Sequence, residues 1–583
     1  MKELLWPYVR RYWLRYAFGV LCLMVTASLA MAIPYLVRAG INSIQGGELA
    51  RLPRLAAAIG LTAVSMALAR WFSRFVLFNC GRDVEYELRK ELFKRLLLLG
   101  PEFYRLFSTG DLMSRLVNDL TAVRLLVGFG ILTFINAPLY YVYALTIMLS
   151  LNAPLTLAAV SPFVVLLLVV RHLARALMER SLEVQQGLGQ ISAKVQESLL
   201  GIHVVKAYAL EEHEGRVFAR LNEHYNRKGL ALARLRGAIT PMMRIAASAS
   251  IMTALTYGGY FVLARQMTIG DLAGFMGYLT LLAMPTTLLG WVISIYQRGR
   301  AAVSRLAEIL NAPAPPALED GGMLEVTGEI EWDRVYFSYG QPARNGADGA
   351  APWALKDISV RVPAGTKLAI VGRTGAGKST MVNLLFRLIE PSSGRVLLDG
   401  RELRAVPLRA LRRAIGGAVQ APMLFSATLA RNIAFGRPSA GLPAIAAAAR
   451  EAGLEGDIAS LPKGLETVVG ERGTSLSGGQ RQRVALARLM VYDAPVAVLD
   501  DALSSVDTIT ETAVLRNLSR RMQGRTTIVV SHRISAIRDA DQIVVLEDGA
   551  IAERGTHDEL LAAGGVYAEL FRRQLLEEEL DRY

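Results

Sequence analysis

Gly372-Arg373-Thr374-Gly375-Ala376-Gly377-Lys378-Ser379 lies between an apolar, β-rich run ending at Val371 and an apolar helical segment over 380–389. The spacing is that of a phosphate-binding loop. Its glycines let backbone N–H groups wrap phosphate oxygens, and the helix that opens here adds the positive end of its dipole. Lys378 would reach the outer phosphates of a nucleotide and the Ser379 hydroxyl would ligate Mg²⁺, with Thr380 completing the contact set. The pattern alone recurs by chance, but a strand before it and a helix after it make the reading specific.

Downstream, Val496-Ala497-Val498-Leu499 ends in Asp500, which would bring a carboxylate to the same metal. By itself such an aspartate reads as a solvated strand end; the loop upstream reverses that reading. Runs at Lys367–Val371, Val496–Leu499, Thr527–Val530 and Ile543–Leu546 alternate with helical patterns between about 325 and 575, which predicts a parallel α/β sheet. Ala312-Pro313-Ala314-Pro315-Pro316, followed by Glu319, Asp320, Gly321 and Gly322, is a linker. The expected division is 1–311, a linker over 312–324, and 325–583. Residues 341–352 read as a hairpin insertion without chemistry of its own.

The first part is of a different character. The 583 residues are 52% hydrophobic, and apolar windows fit to cross roughly 30 Å of hydrocarbon fall near 17–37, 55–80, 126–150, 153–172, 245–264 and 272–296. Six spans are therefore expected. Short links follow the first, third and fifth, while long helical loops follow the second and fourth, so 83–106 and 176–238 would continue the spans into the cytoplasm. The net charge of +14 suggests nucleic acid only until its placement is considered. Lys2, Arg10, Arg11 and Arg15 precede the first span and Arg82, Arg89, Lys90, Lys94 and Arg95 follow the second, as cytoplasmic membrane ends require. Nucleic acid is accordingly not an expected partner, and the bilayer is. Cys22 and Cys80, both in apolar stretches, provide neither a disulfide framework nor a metal site.

Leu476-Ser477-Gly478-Gly479-Gln480, heading a helix rich in Arg and Ala, resembles the signature motif of ABC ATPases. In the same family order come Gln420, Ser504-Ser505-Val506-Asp507 and His532, which resemble the Q-loop, the D-loop and the switch histidine. Val335-Tyr336-Phe337-Ser338-Tyr339 resembles the loop whose aromatic residue, here Tyr339, stacks on adenine, and Thr467–Gly473 resembles a loop found in exporters just before the signature. Phe107–Asp119 and Glu197–Glu211 are similar to the two coupling-helix regions of ABC exporters, so the resemblance spans nearly the whole chain. It is nearest to multidrug- and lipid-type half-transporters.

The resemblance implies a membrane α-helical bundle of six transmembrane helices fused to an α/β P-loop ATPase domain. It implies ATP and Mg²⁺ as cofactors, the metal held by Ser379, Gln420 and Asp500, and catalysis carried by Asp501, His532 and Gln420. Nucleotide contacts would come from Tyr339, from Gly372 through Thr380, and in trans from Ser477, Gly478, Gly479, Gln480 and Asp507. Such a chain sits in the cell (inner) membrane as a multi-pass protein with its nucleotide-binding domain in the cytoplasm. It pairs with a second half-transporter and exports a small hydrophobic or amphipathic solute by alternating access. Switching such an equilibrium from 1:99 to 99:1 needs only about 5.5 kcal/mol of differential binding.

One departure stands out. Where efficient ABC ATPases follow the metal-binding aspartate with glutamate, this chain has Asp501, as in the degenerate-site subunit of heterodimeric bacterial exporters. A heterodimer is therefore expected, with a slow homodimer or a non-transporting regulator or channel as alternatives. Arg70, Arg74 and Arg244, in or beside apolar spans, are costly there and predict either substrate contact or structural pairing.

Overall fold

A computed structural model describes residues 2–313, 325–339, 353–470, 473 and 476–580. The 341–352 insertion and most of the linker lie outside the described residues, as do Glu471 and Arg472 of the pre-signature loop. The chain forms two compact units, one of Met1–Leu97 with Ser108–Ala312, the other of Leu98–Phe107 with Pro313–Tyr583.

Six long helices build the first unit: α1 (Trp13–Gln45), α2 (Leu52–Leu98), α3 (Thr109–Leu151), α4 (Ala153–Leu200), α5 (Glu211–Leu263) and α6 (Ile269–Leu310). Four of them, α1, α2, α3 and α5, contain a stretch long and apolar enough to cross a bilayer; in α4 and α6 the described apolar stretches are Ala153–Leu166 and Ile269–Leu282. Starts are set by local chemistry. The Asn152 side chain accepts from Leu155 N at 2.9 Å to open α4, and Thr268 and Asp271 form a reciprocal capping box at α6. As expected, α2, α4 and α5 run well beyond the apolar stretches. At the first turning point the short helix Pro101–Leu106, which belongs to the second unit, precedes Phe107, and Ser108 then caps Thr109–Ser114, the first turns of α3. The second turning point does hold a short helix, Ile202–Ala207.

Small residues allow the membrane helices to approach closely, as they must where lipid offers no hydrophobic driving force between helices. At the α2–α3 crossing, a Cβ on Gly81 would come within 3.0 Å of Arg124 O and 3.1 Å of the Gly128 Cα. Gly128 belongs to the second of two π-turns in α3, Arg115–Asp119 and Leu126–Gly130. Below this crossing, Glu85 is buried and paired with both Arg89 (2.5 Å) and Arg124 (3.0 Å). Arg115, also buried, joins α3 to α6 through Glu308 (2.7 Å) and the carbonyl of Arg305 (2.7 Å), and is held within α3 by Asp111 (2.7 Å).

The second unit carries two sheets. Strands β1 (Ile330–Ser338), β2 (Trp353–Val362), β4 (Ser393–Leu398) and β5 (Arg401–Glu402) form an antiparallel sheet in the order β2-β1-β4-β5. The other contains β3 (Lys367–Gly372), β6 (Ile415–Ala418), β7 (Val496–Asp500), β8 (Thr526–Val530), β9 (Gln542–Glu547) and β10 (Ala550–Gly555), in the order β10-β9-β3-β8-β7-β6. All its pairings are parallel except that of the edge strand β10. Strands β7 and β8 are buried at every residue, which explains the apolar runs Val496–Leu499 and Ile528–Val530 within them. Alternate side chains feed two cores: Leu368, Ile370, Val496 and Val498 on one face, Ala369, Val371, Ala497 and Leu499 on the other. This leaves the carboxyl ends of β3, β7 and β8 side by side, the usual place for a ligand in an open α/β sheet.

The Gly81 contact generates a stability test. Gly81→Leu should lower the stability of the protein by about 1–3 kcal/mol through overpacking, read as a fall in the thermal midpoint of the purified chain in nanodiscs. Gly215→Ala, where nothing lies within 4 Å of the added Cβ, should leave the midpoint unchanged or raise it slightly.

Candidate active site

Lys378 opens the helix α7 (Lys378–Leu385) directly after the loop that leaves β3. Gly377 has φ +102°, and a Cβ there would meet Ala354 O at 2.7 Å, so both conformation and space demand glycine. The Lys378 amine is drawn across the loop, donating to the carbonyls of Gly372 (2.7 Å) and Arg373 (2.9 Å). Burial pulls its pKa below the ordinary lysine value while Asp501 and Asp500 oppose the fall.

Around the loop is a cavity of about 640 Å³ lined by Tyr339, Trp353, Lys378, Ser379, Thr380, Gln420, Asp500, Asp501, Ser531 and His532, with Gly372, Thr374, Gly375 and Gly377 on the loop side. The parallel pairing of Asp500 with Val530 places the end of β7 beside the end of β8, and so brings Asp501 to His532. Asp500 is 7% exposed. Burial pushes its carboxyl above the ordinary aspartate range, against a hydrogen bond from the Ser379 hydroxyl that holds it down. A hydroxyl and a carboxylate sharing one point beside a phosphate-binding loop fit Mg²⁺, which takes few protein ligands and completes its octahedron with phosphate and water. Among the described residues, no three His, Cys, Asp or Glu side chains gather into an all-protein metal cage.

Asp501 is engaged on both oxygens. His532 Nδ1 lies 3.0 Å from Oδ1, and Gln420 Nε2 donates to Oδ2 at 3.4 Å. The Asp501 hydrogen bond raises the His532 pKa above its ordinary value, with burial pulling the other way. Tyr339 presents its ring at the rim, 45% exposed, with its hydroxyl 3.0 Å from Thr380 Oγ1. The guanidinium of Arg105, from the short segment that belongs to this unit, lies 4.8 Å from the centre of that ring.

Sequence reading missed Trp353 and Ser531. Trp353 reaches the rim because it pairs with Ser338 in the β1–β2 register, a relation across an insertion that local pattern cannot reveal. Of the expected contacts, Arg373 and Ala376 do not line the cavity with their side chains; Ala376 is buried, and Arg373 faces Glu569 at 3.8 Å. What they offer the loop is the backbone N–H.

Ser477, Gly478, Gly479, Gln480 and Asp507 also lie outside this chain's cavity. Ser477 caps the helix α8 (Gly478–Tyr492) in a reciprocal box with Gln480, leaving a glycine-lined helix N-terminus. Asp507 caps the helix Thr508–Arg521, accepting from Thr510 N at 2.9 Å. Gln482 of α8 bonds Ser504 Oγ and Ser505 N, both at 2.8 Å, and Arg533, next to His532, donates to the Ser504 carbonyl at 2.8 Å. The signature helix is thereby wired to the strand end that carries His532.

Fold and site together define an ATP-binding-cassette ATPase in one chain with a membrane helical unit. Residues 16–286 match the family model described as ABC transporter transmembrane region, and 355–504 the one described as ABC transporter. The chain is 35% identical to the multidrug resistance-like ATP-binding protein MdlA of Escherichia coli, over 99% of this chain and 97% of that protein. It is 33% identical to an ATP-dependent lipid A-core flippase of Chromohalobacter salexigens, over 98% and 97%. A solved bacterial Atm1-family ABC exporter with ATP bound superposes with a TM-score of 0.80 at 28% identity, over 97% of this chain and 98% of that one. The chain belongs to the ABC exporter family. It is a membrane protein with a cytoplasmic ATP-binding domain, and it couples Mg²⁺-dependent ATP hydrolysis to export.

The His532–Asp501 contact has a measurable signature. Asp501→Ala removes the bond and the charge that raise the histidine pKa and leaves burial, Arg533 and Lys378, which lower it. The His532 pKa should drop from above about 6.5 to that value or below it. The stabilisation of the wild-type pair is complete below about pH 6.5 and is lost as pH rises through the raised value. Histidine NMR of the full chain in nanodiscs reads both states; an unchanged His532 titration would contradict the assignment.

Proposed function

We propose that this chain exports a hydrophobic or amphipathic substrate by alternating access, as one half of a heterodimer in which its own Walker site binds ATP firmly and hydrolyses it slowly. The observation that carries the reading is Asp501. One methylene shorter than glutamate, its carboxylate is withdrawn by roughly 1 Å, and a misplacement of that size can cost on the order of 10²-fold in rate. Both of its oxygens are already tied to His532 and Gln420, which further keeps it from an attacking water.

The remaining roles follow the chemistry of each group. Tyr339 stacks on adenine, and the backbone of Gly372–Gly377 with Lys378 holds the phosphates. Ser379, Asp500 and Gln420 hold Mg²⁺, whose contribution when bound is to neutralise charge on the outer phosphates. His532 faces the γ-phosphate and Asp501 is the weakened general base. Ser477–Gln480 and Asp507, remote from this chain's own cavity, serve the nucleotide of the partner. The open N-terminus of α8 suits an anionic phosphate there. ATP sandwiched in this way closes two cassettes head to tail, and the segments near 107–119 and 201–212 pass the closure to the membrane helices.

Asymmetry supports the heterodimer: a damaged base occurs beside an undamaged signature, and the signature's benefit falls to the other chain. The protein alone should show slow ATPase that substrate does not stimulate, while co-assembly with a related half-transporter carrying the glutamate should restore fast turnover. Asp501→Glu should raise hydrolysis at this chain's site on the order of 10²-fold. Fast, substrate-stimulated ATPase from this chain by itself would sink the heterodimer reading and favour a homodimer.

A further inference from the structure

In the membrane unit α1, α2, α3 and α6 enclose a cavity of about 420 Å³. Arg70 and Arg74 of α2 line it together with Asn136 and Tyr140 of α3, and apolar walls are supplied by Leu132 and Leu281. Arg244 is not among its lining residues.

Two features set the arginines apart from ordinary interfacial cations. The first is depth. Arg70 lies 13 residues and Arg74 nine residues before Asp83 on α2, so at 1.5 Å per residue they sit roughly 20 Å and 13 Å from the charged cytoplasmic stretch. That places them inside the hydrocarbon layer, Arg70 near its middle and Arg74 in its cytoplasmic half. The second is the missing counter-charge. Stretches 49–82, 120–178 and 225–300 contain a single carboxylate, Asp271, and it is committed to Arg38. Among the described residues neither Arg70 nor Arg74 has an acidic partner; the polar contact of the Arg70 guanidinium is Met66 Sδ at 3.6 Å. Arg70 and Arg74 are also one helical turn apart, so they share a face and repel each other. Two like charges at this depth are costly unless an anion joins them.

We infer that this cavity is a binding site for an anionic amphiphile, its phosphate-like head bridging the Arg70 and Arg74 guanidinium groups and its alkyl chain lying along the Leu132 and Leu281 wall. Guanidinium is suited to this because its planar fork matches phosphate or carboxylate oxygens two at a time and is more weakly hydrated than an ammonium. The π-turn at Leu126–Gly130 contributes Phe129 to the same cavity, and such turns within helices often mark functional positions. The head group lies nearer the cytoplasmic end, where a molecule leaving the inner leaflet would arrive. The inference deepens the export reading, on which it rests for the fate of the molecule but not for its binding.

The test uses the assembled full-length protein in phosphatidylcholine nanodiscs without nucleotide. Dodecyl phosphate, its uncharged dimethyl ester and dodecyltrimethylammonium are titrated and followed by intrinsic tryptophan fluorescence. Dodecyl phosphate should bind at least tenfold more tightly than either of the others. Arg70→Gln/Arg74→Gln should remove that preference, and Arg70→Lys/Arg74→Lys should keep part of it. Equal binding of the phosphate and its dimethyl ester to the unaltered protein would overturn the proposal, whatever the variants do. So would a preference that survives Arg70→Gln/Arg74→Gln. Displacement of dodecyl phosphate by added phosphatidylglycerol assigns the site to a lipid headgroup, and its absence to a diffusible amphiphile; each sustains the anion site. ATP-driven uptake of the same probes into inside-out vesicles, measured separately, decides the export reading.

Discussion

The ATP-binding unit depends on the parallel hydrogen bonding of β3 to β8 and of β8 to β7. Those two ladders fix which residues share the carboxyl edge of the sheet: Gly372 at the end of β3, Asp500 and Asp501 at the end of β7, Ser531 and His532 after β8. A slip of one residue in either ladder would turn the alternating side chains of a strand into the wrong core and carry Asp500 away from Ser379. The unbroken burial of β7 and β8 makes such a slip expensive, because every inward side chain already has a place in one of two packed cores. Site geometry is thus a consequence of strand packing rather than of the loops that display it.

How far this was legible in the sequence differs from residue to residue. Lys378, Ser379 and Asp500 could be placed because a local pattern, strand then loop then helix, fixes them within a few residues of one another or at a strand end. The six helices were legible for an equally local reason, since hydrocarbon tolerates few other ways of satisfying the backbone. What escaped was set by pairing between distant segments. The antiparallel sheet joins β1 to β2 across the 341–352 insertion, and Trp353 enters the site by that register alone. The π-turn at Leu126–Gly130 holds Gly128 against Gly81 of α2, a contact that no periodicity encodes. The two-sided engagement of Asp501 was hidden for the same reason: Gln420 and His532 meet it from strands far apart in sequence.

Asp501 sits where these strands converge, and the chemistry around it is coherent. The same carboxylate that raises the His532 pKa is held by Gln420, so three side chains lining the cavity form one hydrogen-bonded set. On the proposed reading, such a set favours holding a nucleotide in place over activating a water, because the carboxylate is already satisfied by its neighbours. The intact signature helix, tied through Gln482 and Arg533 to the region of His532, gives a route by which occupancy of one nucleotide site could be sensed at the other.

The central claim is that the two nucleotide sites of the working assembly are unequal, with this chain's site retaining ATP. The most direct measurement is chemical: the assembled transporter is allowed many turnovers with γ-³²P- and α-³²P-labelled ATP, separated rapidly from free nucleotide, and the tightly bound nucleotide is identified. The account predicts that intact ATP is retained at the Walker site of this chain while the partner's site yields ADP. Recovery of ADP in equal measure from both sites would contradict it.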